Sequence, residues 1–416
     1  MLWRSKGRGK RIFNVQDAFT LVDMKGRRIN IIMITLSLVL PGLLHSWGWE
    51  KIYSLSSWDQ AYEIKQTPDG GYIVVGQTYD ASYYMYAILI KLGVNGNEEW
   101  KKMYGGPDIN PFGMGVDLTS DGGYIVTGMK MPSTDVDVYL IKTDSSGNTN
   151  WTKGFGGSSG DVGYSVKQSS DGGFIIAGYT SSYGAGGWDV YLIKTTSSGN
   201  MSWYKTYGGA DEDRAFSVQQ TLDGGYIIAG FTKSYGAGNY DVYLIKTDSS
   251  GNMSWYKTYG RAAADYGYSV DQTSDGGYII SGTINDRVTL IKTDSSGNTN
   301  WTKLLNTTYP SSCGQSVQQT LENDYITAGY VIDASFNCYI HIAKYDPLNP
   351  GVPDYVFDIK TRNIKDRQEA DQFSWTNITF QSQGWIVSDQ YYEINYLNFH
   401  SVNTGWGLQI HTHNKD

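Results

Sequence analysis

The feature that most constrains this chain is an internal repeat with a period of 46 to 52 residues. The copy at Asp223–Trp255 reads D-G-G-Y-I-I-A-G, then a loop, then D-V-Y-L-I-K-T-D-S-S-G-N-M-S-W. Similar copies lie at Asp121–Trp151, Asp171–Trp203 and Asp275–Trp301, and weaker ones at Asp69–Trp100 and Asn323–Asp346. The tryptophans of the repeat fall at 49, 100, 151, 203, 255 and 301. A period of this length is typical of a solenoid, a propeller or another array of units.

Each period contains four short segments that predict β-strands. They are represented by Gly163–Gln168, Tyr226–Ala229, Val242–Ile245 and Trp203–Tyr207. Segments rich in Tyr, Ile and Val that are bounded by Gly, Asp, Asn and Ser are strand signals. No segment keeps helical periodicity for the roughly ten residues that a helix needs. The chain is therefore predicted to be all-β.

The connections between these strands favour a propeller over an open stack. Asp-Gly-Gly and Ser-Ser-Gly-Asn suit tight hairpins, because glycine accepts a positive φ without steric cost. The second strand is apolar at consecutive positions, which indicates that both of its faces are covered. A four-stranded antiparallel unit covered on both faces and repeated around a ring is a propeller blade. An open stack needs polar end caps, and no copy has that character.

The count of strands predicts six blades. Trp49–Tyr53 precedes any complete blade, and the last copy ends after its third strand, Tyr339–Tyr345. We therefore predict that Trp49–Tyr53 supplies the fourth strand of the last blade, so that the N-terminal strand closes the ring and removes exposed strand edges. The alternative is a seventh blade built from the C-terminal segment, which has neither the D-G-G nor the S-S-G-N signature.

The repeat resembles known propeller families. The segment T-D-S-S-G-N-x-x-W is similar to the D-x-x-T-G-x-x-x-W signature of quinoprotein-like (PQQ-type) repeats, and D-G-G-Y-I-I-A-G is similar to Kelch-like blades. As a whole, residues 49–346 resemble exported microbial propeller proteins with W-x-K-T-Y-G-G and D-G-G-Y-I-I-A-G motifs. This resemblance implies the fold but no function, because propellers host unrelated activities. It implies no PQQ either, since the quinoproteins use an adjacent pair of cysteines and Cys313 and Cys338 are far apart in sequence.

Residues 1–48 are predicted to be an N-terminal extension and signal peptide. Lys25, Arg27 and Arg28 precede Ile31–Leu44, an apolar run of signal-peptide length. An uncleaved membrane anchor is the alternative, and membrane contact is expected only through this segment. Met24 as the true start of translation is a further hypothesis. The protein is accordingly predicted to be secreted or attached to the cell surface.

Past the repeats, residues 347–354 are predicted to be a Pro-rich linker and 355–416 a small β-sandwich-like domain. Its strands are predicted at Gln372–Phe380, Gly384–Val387, Tyr391–Phe399 and Gly405–His411.

The two cysteines fit an exported protein. A disulfide between Cys313 and Cys338 is expected to staple the last blade, with two free thiols as the equal alternative.

The net charge of the chain limits the classes of binding partner that can be expected. The net charge is −8, so a nucleic-acid binder with a basic patch is not expected. Lysines that recur once per blade indicate a structural position, and these are Lys142, Lys194, Lys246 and Lys292.

The candidate ligand residues lie on the longer loops, which strand alternation places on one face of the propeller. A carboxylate precedes the innermost strand at Asp59, Asp161, Asp213 and Asp265. These residues predict a site for a cation such as calcium or for a polar ligand. Alternatively, each caps backbone N–H groups where the chain enters the blade, which repetition favours. Asp211 and Glu212 are specific to one blade and are better candidates for function.

Aromatic residues mark two of these loops, Tyr183–Trp188 and Tyr235–Tyr240. The equivalent loop of the fifth blade is cut to Ile284–Arg287, so a blade folds without the long form. We predict that Tyr183, Trp188, Tyr235 and Tyr240 stack against sugars or against a protein partner. The alternative is that they cover the edges of the blades.

Catalytic motifs are scarce. The sequence has no G-x-S-x-G, H-E-x-x-H or P-loop motif, and His411 with His413 is a weak candidate for a metal pair. The predicted function is a non-catalytic binding or adhesion module for a glycan or a surface protein. The alternative is a glycoside hydrolase-like carbohydrate-active enzyme with Asp213 or Asp161 as acid or base.

Overall fold

The computed structural model describes most of the repeat region and parts of both ends. The described residues are 19–22, 28–31, 53, 59–106, 108–131, 135–305, 310–320, 323–332, 334, 338–347, 356–360, 385–387, 390–402 and 405–414. All of the regular secondary structure within these ranges consists of β-strands. They contain no helix that is long and apolar enough to cross a membrane. The all-β prediction is confirmed.

Six four-stranded antiparallel sheets form the blades of a six-bladed β-propeller, and each blade follows chain order. Blade 1 contains β3 (Gln60–Gln66), β4 (Tyr72–Tyr79), β5 (Met85–Leu92) and β6 (Glu98–Gly105). Blade 2 contains β7 (Phe112–Leu118), β8 (Tyr124–Lys130), β9 (Asp137–Thr143) and β10 (Thr149–Phe155). Blade 3 contains β11 (Asp161–Gln168), β12 (Phe174–Thr180), β13 (Asp189–Thr195) and β14 (Met201–Tyr207). Blade 4 contains β15 (Asp213–Gln220), β16 (Tyr226–Thr232), β17 (Asp241–Thr247) and β18 (Met253–Tyr259).

The remaining strands belong to the last two blades and to the ends of the chain. Blade 5 contains β19 (Tyr266–Gln272), β20 (Tyr278–Ile284), β21 (Arg287–Thr293) and β22 (Thr299–Leu304). Blade 6 contains β23 (Ser311–Gln319), β24 (Tyr325–Ile332), β25 (Cys338–Tyr345) and β26 (Val356–Lys360). A pair, β1 (Phe19–Val22) and β2 (Arg28–Ile31), lies in a separate unit, and β27 (Trp385–Val387), β28 (Gln390–Val402) and β29 (Gly405–Asn414) form a three-stranded sheet.

The local turn chemistry explains why each blade forms. In blade 4, Gly224 has a φ of 82°, and the Gly225 N–H donates to Asp223 Oδ1 at 3.0 Å. This Asx turn reverses the chain between β15 and β16. Every residue of β16 is buried, as expected for a strand covered on both faces.

Apolar cores lie between successive blades. The core of blades 3 and 4, for example, packs Ile175 and Leu192 of one blade against Val218 and Ile245 of the next. Similar shared cores join each other consecutive pair from the first blade to the sixth. Because the first strands of neighbouring sheets also pack on each other, they are the innermost strands of the propeller.

The closing strand differs from the prediction. The edge of β25 is paired with Val356–Lys360, which follows β25 in the chain. Tyr53 lies outside any strand, donates its hydroxyl to the Gly96 carbonyl and packs against Ile88 of blade 1. Residues 49–52 lie outside the described residues, but the fourth strand of blade 6 is β26, so the prediction that Trp49–Tyr53 completes the last blade is wrong. A strand close in sequence reaches that edge by a shorter loop, at a lower entropic cost than one from the far end of the chain.

The first and last blades lack a shared core of the kind that joins the other blades, among the residues that the structure describes. Apolar side chains on the first two strands of these blades stay exposed, among them Tyr62 (40%), Ile64 (54%) and Ile326 (40%). The six-blade count thus stands, whereas strand exchange with the N-terminus does not hold the ring together.

The region predicted as a C-terminal domain contributes to two different sheets. Its first strand, Val356–Lys360, belongs to blade 6. The predicted strands Gly384–Val387, Tyr391–Phe399 and Gly405–His411 correspond to β27, β28 and β29. Gln372–Phe380 lies outside the described residues, as do Met24 and the part of the predicted signal segment after Ile31.

The predicted disulfide is absent. Cys313 is a free, buried thiol. It lies opposite Tyr330 on one side of β24, and Cys338 lies opposite Ile332 on the other side. Two strands that flank a third are about 9–10 Å apart, beyond the Cα separation of about 7 Å that a disulfide can bridge.

Candidate functional site

The long loops share one face, as predicted. Because each sheet is an antiparallel meander, its first and third turns lie on one side. The second turn and the connection to the next blade lie on the other, which we call the long-loop face. In blades 3 and 4 these second turns are residues 181–188 and 233–240.

Three of the four predicted carboxylates are buried in the loop contacts of this face. Asp213 Oδ2 accepts hydrogen bonds from the Gly209 N–H at 2.9 Å and Ser234 Oγ at 2.7 Å, and Oδ1 accepts one from Thr232 Oγ1. Asp161 binds Gly157 N and Ser182 Oγ in the same way. Asp265 accepts from Arg261 N at 2.7 Å and Asn285 N at 2.9 Å.

These contacts tie each incoming connection to the second turn of the same blade. Asp161, Asp213 and Asp265 are 0% exposed, whereas Asp59 is exposed and accepts from Thr78 Oγ1 at 2.6 Å. Such contacts are the ones that the capping interpretation requires. The described residues contain no group of three His, Cys, Asp or Glu side chains that could hold a metal ion. Burial also removes Asp161 and Asp213 from the reach of a glycosidic bond.

Two further buried carboxylates, Asp189 and Asp241, shape the aromatic loops and were missed by the sequence analysis. Asp189 Oδ2 accepts from Ala185 N at 3.0 Å, and Asp241 Oδ2 accepts from Ala237 N at 3.0 Å. Burial raises the pKa of Asp189, and the backbone hydrogen bonds oppose that rise. Gly184, with a φ of 112°, lets the loop wrap this carboxylate, since a Cβ there would lie 2.1 Å from Asp189 Oδ2.

The two tyrosines that begin the aromatic loops pack on the flanks of their blades. The Tyr183 hydroxyl donates to the Gly156 carbonyl at 2.8 Å, and the Tyr235 hydroxyl donates to the Gly208 carbonyl at 2.8 Å. Their rings contact Tyr204 and Tyr256 at centroid distances of 5.0 and 5.2 Å. These contacts agree with the edge-covering alternative.

The two aromatic residues that end the loops lie toward the inner strands instead. Trp188 packs edge-to-face on Tyr179, with ring centroids 4.7 Å apart. Tyr240 packs edge-to-face on Phe231 at 5.0 Å and contacts Tyr266 at 5.6 Å. All four side chains are partly exposed, and it is their packing partners that separate Trp188 and Tyr240 from Tyr183 and Tyr235.

A row of aromatic side chains on the innermost strands continues this surface. Phe216 lies between Tyr164 and Tyr268, at centroid distances of 5.0 and 5.2 Å. Each of the three residues occupies a β-bulge in the first strand of its blade. A bulge changes the direction of a side chain relative to the regular pleat of the strand. The three rings therefore contact one another across blades 3 to 5.

Eight rings thus form one contiguous set across blades 3 to 5, which we call the aromatic cluster. Its members are Tyr164, Tyr179, Trp188, Phe216, Phe231, Tyr240, Tyr266 and Tyr268. Sequence reasoning found two of the eight. The bulge position carries Tyr62, Met114, Tyr164, Phe216, Tyr268 and Gln315 in successive blades, and this variation inside a fixed repeat was the available signal.

Charged residues lie beside the aromatic cluster. The Arg214 guanidinium carbon is 4.5 Å from the centroid of Tyr179 and 5.3 Å from that of Trp188. Glu212 Oε2 is 3.6 Å from Arg214 Nη2 and accepts a hydrogen bond from the Tyr240 hydroxyl at 3.3 Å. Asp211, farther out, pairs with Lys233 at 3.5 Å. The surface therefore combines ring faces with two cations and two carboxylates.

Comparison with known proteins finds only distant similarity to solved structures. No family model matches the sequence, and no curated protein matches it. The chain is similar to a solved protein of unknown function from Dyadobacter fermentans, with 11% identity, a TM-score of 0.45, and coverage of 72% of this chain and 93% of that one.

Two further solved propellers are similar. The Pan2 WD40 domain of Neurospora crassa has 12% identity and a TM-score of 0.44, and the match covers 73% of this chain and 80% of that one. A europium-containing methanol dehydrogenase has 11% identity and a TM-score of 0.36, with coverage of 63% and 72%. Likenesses this distant carry no function from one protein to the other.

Proposed function

We propose that the protein is a secreted or cell-surface binding module that holds a glycan on the aromatic cluster without catalysis. The observation that supports this is the contiguity of the eight rings across blades 3 to 5, seven of them partly exposed around the buried ring of Phe231. Aromatic rings offer large, rigid contact area, and the C–H face of a sugar ring stacks well against them. Trp188 and Tyr240 are the partly exposed members contributed by the long loops, so they are the first contacts in this proposal.

A surface protein is the second candidate partner. Trp, Tyr and Arg are the residue types that dominate protein–protein hot spots, and Trp188, Tyr240 and Arg214 bring all three together. Asp161 and Asp213, the acid or base candidates of the catalytic alternative, are buried and accept hydrogen bonds within their loops.

Replacing both Trp188 and Tyr240 by alanine is expected to weaken glycan binding at least about tenfold, since removing a buried or stacked aromatic side chain commonly costs more than about 1 kcal/mol. The measurement is a glycan array followed by titration calorimetry on the best ligand. Tyr83→Ala is the matched control, because Tyr83 is a tyrosine 80% exposed in the second turn of blade 1. Equal affinity of the double variant and the control would contradict the proposal.

Turnover is the outcome that would favour an enzyme. We expect no hydrolysis of chromogenic glycosides by the purified protein. Hydrolysis that disappears in Asp213→Asn while the variant keeps its melting temperature would replace the binding function with a catalytic one.

A further inference from the structure

We propose that Arg214 makes this surface selective for acidic glycans, with the guanidinium binding the carboxylate of a hexuronate unit whose ring stacks on the aromatic cluster. The inference rests on the proposed glycan-binding function and adds the class of ligand. It comes from the surroundings of Arg214, which differ from those of the buried lysines that recur in the blades.

The repeat does not require a cation at this position. The residues that occupy it in the six blades are Gln60, Phe112, Val162, Arg214, Tyr266 and Cys313, each next to the glycine-paired residue of the inner strand. Five blades thus form with neutral side chains, and only blade 4 places a charge there. A residue that the fold does not need and that lies on the ligand face is a candidate for specificity.

The protein neutralises the Arg214 charge poorly. Its guanidinium lies among the rings of Tyr179, Trp188 and Phe231, at 4.5 to 5.8 Å from their centroids. Its Nε is buried and has no hydrogen-bond partner within the described part of the chain. The carboxylate of Glu212 is 3.6 Å from Nη2, a long contact for an ion pair, and its Oε2 also accepts from the Tyr240 hydroxyl.

The lysines of the blades show what full neutralisation looks like. Lys246 has both oxygens of Asp223 within 3.0 Å and the Thr247 carbonyl at 2.9 Å. Arg214 lacks such partners and keeps 26% of its side chain exposed. The planar guanidinium is a fork of N–H donors, which is the geometry that matches a planar carboxylate.

The geometry therefore pairs two recognition elements, ring faces for a pyranose and a fork of N–H donors for its carboxylate. A neutral glycan would use the first element alone. Glu212 would compete with the ligand for Arg214, so the two residues are expected to affect binding in opposite directions.

The test uses the full chain and oligosaccharides of glucuronate, galacturonate and mannuronate, each beside its carboxyl-reduced counterpart. We expect wild-type protein to bind at least one acidic ligand about tenfold or more tighter than its reduced form. Arg214→Gln should abolish that preference while keeping the affinity for the reduced ligand, which also reports that the variant is folded. Glu212→Gln should raise affinity for the acidic ligand severalfold.

Arg261→Gln is the matched control, because Arg261 is an exposed arginine on the same face outside the aromatic cluster. It should keep the preference for the acidic ligand. Equal binding of acidic and reduced ligands by wild-type protein, or a preference that survives Arg214→Gln, would overturn the inference and leave the proposed function intact. Binding of neither ligand would overturn both.

Discussion

Replacing Gly128 by alanine is expected to destabilise the propeller by about 3 kcal/mol or more, because the added methyl group has no space. A Cβ on Gly128 would lie 1.8 Å from the carbonyl oxygen of Phe112 and 2.8 Å from its carbonyl carbon. Both atoms belong to the backbone of the neighbouring inner strand, so no side-chain rotation can relieve the contact. Blade 2 also lies outside the aromatic cluster, and the effect should therefore be on stability alone.

The same close approach occurs in every blade. A Cβ would lie within 2.1 Å of a backbone oxygen at the equivalent glycines, which are Gly76, Gly178, Gly230, Gly282 and Gly329. Each glycine pairs with the residue just before the β-bulge of its inner strand. The last glycine of D-G-G-Y-I-I-A-G thus lies opposite the bulge region of the inner strand, as expected where two backbones approach closely.

Urea denaturation followed by tryptophan fluorescence measures the loss. Gly187→Ala is the control, since a Cβ there would meet its nearest atom, the Asp211 carbonyl oxygen, at 3.4 Å. Its effect should stay within about 0.5 kcal/mol, the usual range for a surface substitution. If Gly128→Ala unfolds at the same urea concentration as Gly187→Ala, the strand spacing described for blade 2 is wrong.

The blades could be predicted from sequence because their determinants are local. Asp223-Gly224-Gly225 forms the turn. β16 contains the apolar run, and neighbouring blades pack on both of its faces. Each signal acts within a few residues and recurs in the other copies, so errors in one copy are corrected by the rest.

The closing strand and the site could not be predicted because they depend on contacts between distant residues. Val356–Lys360 has no repeat signature, and only its place beside β25 identifies it as the strand that completes blade 6. Tyr164 and Phe216 look like ordinary alternating strand residues until the bulge turns them toward each other. The sequence around Asp213 is compatible with both a ligand-binding role and a capping role. Its hydrogen bonds from Gly209 and Ser234 show that it caps the loop.

Replacing Asp223 by asparagine is expected to cost about 2 kcal/mol, more than replacing its partner Lys246 by methionine, which should cost less than about 1 kcal/mol. The asymmetry follows from exposure, because the Lys246 side chain is 7% exposed and the Asp223 side chain is 63% exposed. Asparagine removes the negative charge beside a buried ammonium, which is left with neutral acceptors such as the Thr247 carbonyl. Loss of the lysine leaves a carboxylate that water can solvate.

The same ion pair recurs in blades 1 to 5 and explains the lysine at this position in each of them. The pairs are Lys91–Asp69, Lys142–Asp121, Lys194–Asp171, Lys246–Asp223 and Lys292–Asp275, at 2.8 to 2.9 Å. The double variant Asp223→Asn, Lys246→Met should be about as stable as Lys246→Met alone, because it leaves no unpaired charge. A double variant that is as unstable as Asp223→Asn would contradict the role given to the buried ammonium.

Lowering the pH is expected to reduce the stability contributed by all of these ion pairs. Burial alone would raise the pKa of Asp223, but hydrogen bonds from Lys246, Thr221 and the Gly225 N–H, with the charge of Lys246, lower it from 3.8 to about 2. The pKa values of Asp69, Asp121 and Asp275 are also about 2. Since the folded state holds these protons more weakly than the unfolded chain, the stabilisation is complete above pH 3.8 and is lost as the pH falls toward 2. The midpoint of urea unfolding should fall across this window, and less steeply in the double variant. An equal slope would show that the pair does not carry the effect.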